Sequence, residues 1–277
     1  MTYTNAIILG LMQGLTEFLP VSSSGHLLIL QHFFKINADS VLIFTILLHL
    51  GTLVSVFFCY WKDIFLLFKE LFLTMFDLVR GKGLRLEERP IRKLGVMIII
   101  ASIPTAIIGL VFNDIFELFY TTLLPTGIGL IITGFLLWIA ESRRNNKVKI
   151  EKMEWTHAIV IGTMQGLAIT PGISRSGSTL VGGLISGLER EFAVKFAFLI
   201  SIPSILGSLI FSMGSENMSS ALDTNLGPVI TGAVVAAISG VIAIKTMIAV
   251  VKKLSLRYFS YYVWAAGIIL IVYTFKG

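Results

Sequence analysis

Long apolar segments separated by short polar connections run through the whole chain. Six of these segments have roughly the 20 residues that a helix needs to cross the hydrocarbon core of a bilayer. They lie at about residues 41–61, 94–112, 121–141, 191–212, 226–250 and 258–275. The pattern predicts an all-α integral membrane protein, a polytopic helical bundle of six full spans that forms one membrane domain over residues 1–277.

The basic residues are concentrated in three of the polar connections, residues 80–93, 143–152 and 252–257. The connections 113–117 and 215–225 contain neither Lys nor Arg. By the positive-inside rule the first three connections face the cytoplasm and the other two face the outside. Six spans satisfy this distribution without conflict, and both termini then lie outside.

Residues 64–79 are apolar but contain Lys69, Glu70 and Asp77. This mixture predicts an amphipathic helix that lies in the cytoplasmic membrane interface. A seventh span is the alternative, and it would upset the parity of the connections.

The composition excludes a water-soluble fold and several kinds of partner and site. Hydrophobic residues make up 55% of the chain and charged residues 14%, whereas soluble domains carry about a quarter charged residues. The formal net charge of +6 does not indicate a nucleic-acid partner, because the basic residues sit in short loops beside apolar segments. Cys59 is the single cysteine, which excludes an internal disulfide and a cysteine-based metal cluster.

Two segments of the chain repeat each other without a gap. AIILGLMQGLTEFLPVSSSGHLLIL begins at Ala6, and AIVIGTMQGLAITPGISRSGSTLVG begins at Ala158. Each copy has two apolar pieces of about a dozen residues around a break rich in Gly, Ser and Pro, and such pieces are too short to cross a bilayer separately. Each copy is therefore predicted to form a re-entrant helical hairpin.

Three predicted spans separate the two hairpins, so the hairpins enter the membrane from opposite sides. The chain then consists of inverted-topology repeats, with repeat one at about 1–141 and repeat two at about 153–277. Inverted repeats bring their broken helices together near the middle of the bilayer. Residues 17–26 are expected to face residues 171–179 there.

Glu17, His26 and Arg175 lie in or beside the two breaks. An ionisable side chain that faces hydrocarbon costs at least a few kcal/mol, so these three must face one another, water or a ligand. An ion pair that only stabilises the fold is one interpretation of Glu17 and Arg175. A functional site is favoured because hydroxyl groups surround both residues.

Hydroxyl groups and glycines of the breaks, together with Arg175 and the start of a half-helix, could form a cradle for an anion. Small residues are also common where membrane helices pack closely, so serine and glycine alone do not define a site. The candidates for the cradle are Ser22, Ser23, Ser24, Gly25, Gly172, Ser174, Ser176, Gly177, Ser178 and Thr179.

The spacing of Glu17, Ser23 and His26 permits a carboxylate, a hydroxyl and an imidazole to converge, as acid–base or nucleophilic catalysis requires. Gln13 lies one helical turn before Glu17, and either helix packing or a place in the phosphate site explains it. His49 lies in the middle of a span, where an interhelical hydrogen bond and a supporting role at the site are both consistent with its position.

Two motifs of this chain closely resemble the signature motifs of the undecaprenyl-pyrophosphate phosphatase family, also called the bacitracin-resistance type. They are GLTEFLPVSSSGHL, from Gly14 to Leu27, and PGISRSGST, from Pro171 to Thr179. The likeness extends over the whole chain in length, span pattern and repeat. It implies hydrolysis of undecaprenyl pyrophosphate to the monophosphate and inorganic phosphate, which recycles the lipid carrier for cell-wall synthesis and confers bacitracin resistance.

The resemblance also implies a divalent cation, Mg²⁺ or Ca²⁺, and a site open to the external face of a bacterial plasma membrane. By position, Glu17 resembles the second glutamate of the family's motif, His26 its histidine and Arg175 its phosphate-binding arginine. The hydroxyl positions of the family fall on Ser22, Ser23, Ser174 and Thr179. Many members carry a glutamate where this chain has Gln13, so a metal site with Glu17 as its candidate ligand would be weaker or differently built.

A transporter or flippase of a lipid phosphate is the alternative class, because secondary carriers also have inverted repeats and broken helices. The pair of Glu17 and His26 favours an enzyme, since a carrier needs no acid–base pair beside its phosphate site. The nucleophile stays open between His26, Ser23 and water. The expected partners are undecaprenyl pyrophosphate and the lipid bilayer, with a homodimer as an option that the sequence does not decide.

Overall fold

The computed structural model describes residues 2–36, 38–143, 146–213 and 226–276. Over these ranges the chain forms eleven α-helices, a 3₁₀ turn at Ile150–Lys152 and one isolated β-bridge. The helices are α1 Tyr3–Phe18, α2 Ser23–Phe34, α3 Ala38–Val79, α4 Pro90–Val111, α5 Asn113–Tyr120, α6 Leu123–Glu141, α7 Trp155–Leu167, α8 Arg175–Ile185, α9 Arg190–Met213, α10 Leu226–Lys253 and α11 Arg257–Lys276.

Six helices in the described ranges are long and apolar enough to cross a membrane: α3, α4, α6, α9, α10 and α11. Each coincides with one of the six predicted spans, so the prediction of a polytopic all-α membrane protein is confirmed. The predicted external connection at 215–225 lies outside the described residues. Helices α1, α2, α7 and α8, which come from the repeated segments, are shorter, with 16, 12, 13 and 11 residues.

The segment 64–79 is the second half of α3 and not a separate helix. A non-helical backbone at Tyr60, with φ −117° and ψ 23°, marks a kink between the two halves. Beyond the kink Glu70 and Asp77 accept hydrogen bonds from the buried Arg92 at 3.1 and 2.8 Å. Large apolar side chains on the rest of this segment are uncovered. The segment is therefore amphipathic, and its place at a membrane interface stays a prediction.

Glycines allow helices from the two halves of the chain to pack closely on one another. A Cβ added at Gly14 of α1 would lie 2.0 Å from the Ser239 hydroxyl of α10, and one added at Gly162 of α7 would lie 1.9 Å from the Ala101 carbonyl of α4. Helix α1 makes its most extensive contact with α10, and α7 makes its most extensive contact with α4. Helices from the first and second halves of the chain thus pack against each other.

A buried ion pair joins helices at the end of the molecule where α6 stops. The Arg190 guanidinium of α9 donates to the Glu141 carboxylate at 3.2 Å and to the Leu254 carbonyl at 3.0 Å. Glu141 also accepts the backbone N–H of Leu256 at 2.9 Å. These bonds tie α6 and α9 to the connection between α10 and α11.

Replacement of Gly162 by alanine is expected to destabilise the protein, because the new methyl group collides with a backbone oxygen that cannot rotate away. Overpacking of this kind costs about 1 to 3 kcal/mol. The free energy of unfolding in detergent measures the effect. Gly207→Ala is the matched control, since a Cβ there meets nothing within 4 Å. Equal stability of the two variants would contradict the close α4–α7 packing.

Candidate active site

Both repeated segments break their helix at a proline-containing turn. Helix α1 ends at Phe18, and Leu19 takes an extended backbone, φ −78° and ψ 145°, directly before Pro20. A residue before proline is disfavoured in the helical region, so the sequence itself ends the helix there. In the second repeat α7 ends at Leu167, and Pro171 lies in the turn before α8.

Serine caps the helix that follows each break, at matching positions of the repeat. The Ser22 hydroxyl accepts the backbone N–H of Gly25 at 3.3 Å, and the Ser174 hydroxyl accepts that of Gly177 at 3.1 Å. The caps satisfy one N–H of each helix start. The positive ends of both helix dipoles therefore lie beside the breaks, where they favour negative charge.

Glu17, beside the first break, and Arg175, beside the second, form an ion pair that joins the two breaks. The same carboxylate accepts a hydrogen bond from the Ser23 hydroxyl at 2.6 Å and one from the Gln13 amide at 2.8 Å. The Glu17 side chain is 2% exposed and that of Arg175 is 23% exposed. The expected contact between residues 17–26 and 171–179 is thus present, and the carboxylate at its centre is buried.

Further contacts hold the second break against the first and against α6. The Ser176 hydroxyl donates to the Leu19 carbonyl at 3.0 Å. Thr133 of α6 donates to the Gly172 carbonyl and accepts the Ser174 N–H, both at 3.0 Å. Gly172 has φ +85°, and a Cβ there would lie 2.1 Å from a backbone oxygen of α6. Only glycine fits this position.

His26 does not join the cluster around Glu17. Its Nδ1 lies 2.8 Å from the Ser22 carbonyl oxygen and its Nε2 lies 2.7 Å from the Tyr262 hydroxyl of α11. The anticipated convergence of carboxylate, hydroxyl and imidazole is therefore present for Glu17 and Ser23 and absent for His26. The turn that begins α2 directs the serine toward α1 and the histidine toward α11.

The imidazole that does lie beside Glu17 is His49 of α3. Its Nε2 is 3.9 Å from the Glu17 carboxylate, and its Nδ1 is 2.8 Å from the Thr45 carbonyl. A carbonyl only accepts, so Nδ1 carries the hydrogen and Nε2 faces the carboxylate. The sequence left His49 open between an interhelical hydrogen bond and a supporting role at the site, and the structure places it beside the carboxylate. Ser204 of α9, 3.4 Å from the Arg175 guanidinium, was not among the residues predicted from the sequence.

Two of the predicted hydroxyl groups have local partners. Ser24 lies 3.3 Å from the Ser22 hydroxyl. Thr179 donates to the carbonyl oxygens of Arg175 and Ser176, at 2.9 and 3.2 Å, within its own helix. Ser24 therefore remains at the first break, whereas Thr179 stabilises the first turn of α8.

The oxygen atoms around Glu17 are the ligands available to a divalent cation. Among the described residues no three His, Cys, Asp or Glu side chains come together. Beside Glu17, the amide oxygen of Gln13 is buried and has no hydrogen-bond partner. Mg²⁺ commonly takes one or two carboxylates and completes its shell with water and substrate phosphates. The donor set fits a cation that arrives with a phosphate ligand.

The fold and the site define a polytopic helical membrane protein in which a buried carboxylate, its arginine partner and clustered hydroxyl groups lie where two broken helices meet. Residues 6–269 match the family model described as Bacitracin resistance protein BacA, and the chain belongs to this family.

Similar proteins match the chain over nearly its whole length. A protein named undecaprenyl-diphosphatase from Alkaliphilus metalliredigens is 52% identical, over 99% of each chain. Proteins of the same name from Carboxydothermus hydrogenoformans and Halothermothrix orenii are 43% and 37% identical, over 98% and 96% of this chain and 97% and 96% of their own.

Inorganic pyrophosphate is expected to raise the unfolding temperature of the purified protein, because the Arg175 guanidinium and the two helix starts favour a bound anion. Arg175→Gln should abolish this rise. Arg143→Gln, at an exposed position after α6, is the control that should keep it. The measurement is a thermal unfolding scan with and without pyrophosphate, and a rise that survives in Arg175→Gln would place the anion elsewhere.

Proposed function

We propose that this chain hydrolyses undecaprenyl pyrophosphate to undecaprenyl phosphate and inorganic phosphate, which recycles the lipid carrier for cell-wall synthesis and confers bacitracin resistance. Relatives named undecaprenyl-diphosphatase, 37% to 52% identical over nearly the whole chain, support this activity. The observation that carries the proposal is the contact of Arg175 and Ser23 with the single carboxylate of Glu17.

Substrate binding is assigned to Arg175 and to the starts of α2 and α8. The pyrophosphate brings several negative charges into a site with little water, where a guanidinium and oriented N–H groups stabilise it strongly. Ser22, Ser24, Gly25, Ser174, Ser176 and Gly177 surround the helix starts and are proposed to line the phosphate-binding space. Arg175 would exchange part of its contact with Glu17 for a phosphate oxygen.

Ser23 is the proposed nucleophile. Its hydroxyl donates to Glu17 at 2.6 Å, so the carboxylate lies where it can take the proton as the Ser23 oxygen attacks the terminal phosphorus. The bond from that phosphorus to the bridging oxygen breaks, and undecaprenyl phosphate leaves with the electron pair. Water then hydrolyses the phosphoserine and releases inorganic phosphate. Attack by His26 or directly by water are the other routes.

A divalent cation, Mg²⁺ or Ca²⁺, would be held by Glu17 and the substrate phosphates, with the amide oxygen of Gln13 as a neutral donor. Such a cation neutralises charge on the phosphoryl oxygens. Because Gln13 contributes no charge, we expect weak cation binding in the absence of substrate.

The site is proposed to lie inside a bacterial plasma membrane, between two re-entrant hairpins of inverted orientation. The longest of the four short helices has 16 residues and spans about 24 Å, less than the roughly 30 Å hydrocarbon core. The basic connections support a cytoplasmic location for the ends of α3, α6 and α10. Three further features remain predictions: an opening of the site to the external face, a prenyl tail that lies between spans, and a homodimer. The transporter alternative is not supported by the relatives named above, since none of them bears the name of a transporter.

Purified protein in detergent is expected to release phosphate from a prenyl pyrophosphate, and more of it with added Mg²⁺ or Ca²⁺. Glu17→Gln and Arg175→Ala should each lose at least about a hundredfold in kcat/KM, since Glu17 takes the Ser23 proton and Arg175 stabilises charge on the transferring phosphoryl group. Glu117→Gln and Arg143→Ala change exposed residues of the same types and should not lower the rate. No release by folded wild-type protein with either metal would contradict the proposal and revive the transporter alternative.

Rapid-quench analysis distinguishes the three routes of attack. With labelled terminal phosphate, the proposed mechanism predicts a transient label on Ser23 that is absent from Ser23→Ala. A label on His26 would assign the nucleophile to the imidazole. Absence of any covalent label during a pre-steady-state burst would favour direct attack by water.

A further inference from the structure

A chain of hydrogen bonds connects a helix at the surface of the bundle to the strained turn of the first break. The Tyr262 hydroxyl of α11 lies 2.7 Å from Nε2 of His26, and Nδ1 of His26 lies 2.8 Å from the Ser22 carbonyl oxygen. The two rings are nearly parallel, with an interplanar angle of 9° and centroids 5.7 Å apart. His26 is buried, whereas half of Tyr262 is uncovered. The tyrosine therefore holds the histidine from the outer side of the bundle.

The direction of these hydrogen bonds follows from the chemistry of the three groups. The Ser22 carbonyl can only accept, so Nδ1 of His26 carries the hydrogen. In the neutral ring Nε2 is then an acceptor, and the Tyr262 hydroxyl donates to it. Both ring nitrogens are used in holding His26 in place, and neither is directed at Glu17.

The carbonyl that His26 holds belongs to a strained residue. Ser22 has φ 70° and ψ 94°, a positive φ in a residue that has a side chain. Such a conformation persists only where the surrounding structure supports it. The Ser22 carbonyl accepts both Nδ1–H and the backbone N–H of His26, the latter at 3.2 Å. The next residue, Ser23, reaches Glu17 at 2.6 Å, so the shape of this turn sets the position of the Ser23 hydroxyl.

The second break provides an internal comparison. Ser174 matches Ser22 in the repeat, and Ser178 matches His26. Ser174 has φ −72° and ψ 118°, an ordinary extended conformation. The positive φ of that break belongs to Gly172, which adopts it without a side-chain penalty. The histidine and its tyrosine partner thus occur at the break where a serine takes the strained conformation.

We propose that Tyr262 is a positioning residue: its hydroxyl fixes the orientation of His26, and His26 holds the Ser22 carbonyl so that Ser23 stays against Glu17. In this assignment His26 exchanges no proton with the substrate. The inference rests on the proposed function, because it takes Ser23 and Glu17 as the reacting groups.

Substitutions at His26 separate a holding role from a chemical one. The amide nitrogen of His26→Asn lies close to the position of Nδ1 and can still donate to the Ser22 carbonyl, but it has no acid–base function. We expect His26→Asn to stay within about tenfold of the wild-type kcat, which is the scale of one weakened hydrogen bond. His26→Ala, which releases the turn, should lose about a hundredfold, as expected for a misplaced reacting group.

The role of the Tyr262 hydroxyl is tested by comparing Tyr262→Phe with a control substitution at the neighbouring Tyr261. Tyr262→Phe removes only the hydroxyl and should lower kcat about three- to tenfold, with KM little changed. Tyr261→Phe makes the same change at the preceding, uncovered position, whose ring packs on tryptophans of α6 and α11, and should leave kcat unchanged. Unfolding temperatures establish that all four variants are folded.

Two results would overturn the proposal: His26→Asn as inactive as His26→Ala, or Tyr262→Phe with the kcat of Tyr261→Phe. Nitrogen-15 NMR of labelled histidine provides a readout that does not depend on activity. The His26 signal, assigned by its loss in His26→Asn, should show Nδ1–H with an unprotonated, hydrogen-bonded Nε2 in the wild type. In Tyr262→Phe the Nε2 signal should shift, and an unchanged signal would also contradict the proposal.

The same preparations distinguish the two possible failures. Wild-type protein that releases no phosphate but shows the Tyr262-dependent histidine signal would refute the proposed function and leave the contact intact. If the wild-type protein is active but its His26 Nε2 signal is the same as in Tyr262→Phe, only the positioning role is refuted.

Discussion

A carboxylate withdrawn from water needs a positive partner, and the contact of the buried Glu17 with Arg175 is the interaction on which the rest of the site depends. It joins the end of α1 to the start of α8, two elements that are far apart in the chain. Ser23 and Gln13 are placed by hydrogen bonds to the same carboxylate. Removal of Arg175 would leave the Glu17 carboxylate buried without its positive partner, which costs several kcal/mol.

The surrounding helices bring these two breaks together and supply hydrogen-bond partners for their polar backbone groups. Each break leaves several N–H and carbonyl groups outside a helix, and serine caps, α6 and the opposite break supply their partners. Close glycine-mediated packing of α1 on α10 and of α7 on α4 leaves little freedom for either broken helix to shift. The site is consequently assembled from both repeats, and neither half of the chain contains all of it.

Most of the architecture could be predicted from the sequence, because length and apolarity determine spans and the repeat is readable without a gap. The contact between Glu17 and Arg175 was also predictable, since two charges in breaks of related segments have few other partners. The hydrogen-bond partners of His26 could not be predicted from the sequence. His26 lies three positions after Ser23, and spacing alone cannot tell whether the turn at Ser22 is helical or strained. That conformation directs His26 toward Tyr262, far along the chain, and leaves His49 to approach the carboxylate.

The most direct test of this account is the energetic coupling of Glu17 and Arg175, measured as the free energy of unfolding of Glu17→Gln, Arg175→Gln and the double variant in detergent. Arg175→Gln is predicted to lose about 3 kcal/mol or more, because it leaves the buried Glu17 carboxylate without its partner. Glu17→Gln should lose less, because the Arg175 side chain is 23% exposed and can be hydrated. The double variant should lose less than the sum of the two by about 1 to 3 kcal/mol. Losses that add to within about 0.5 kcal/mol would show that the two residues do not interact, and would contradict a single site built from both breaks.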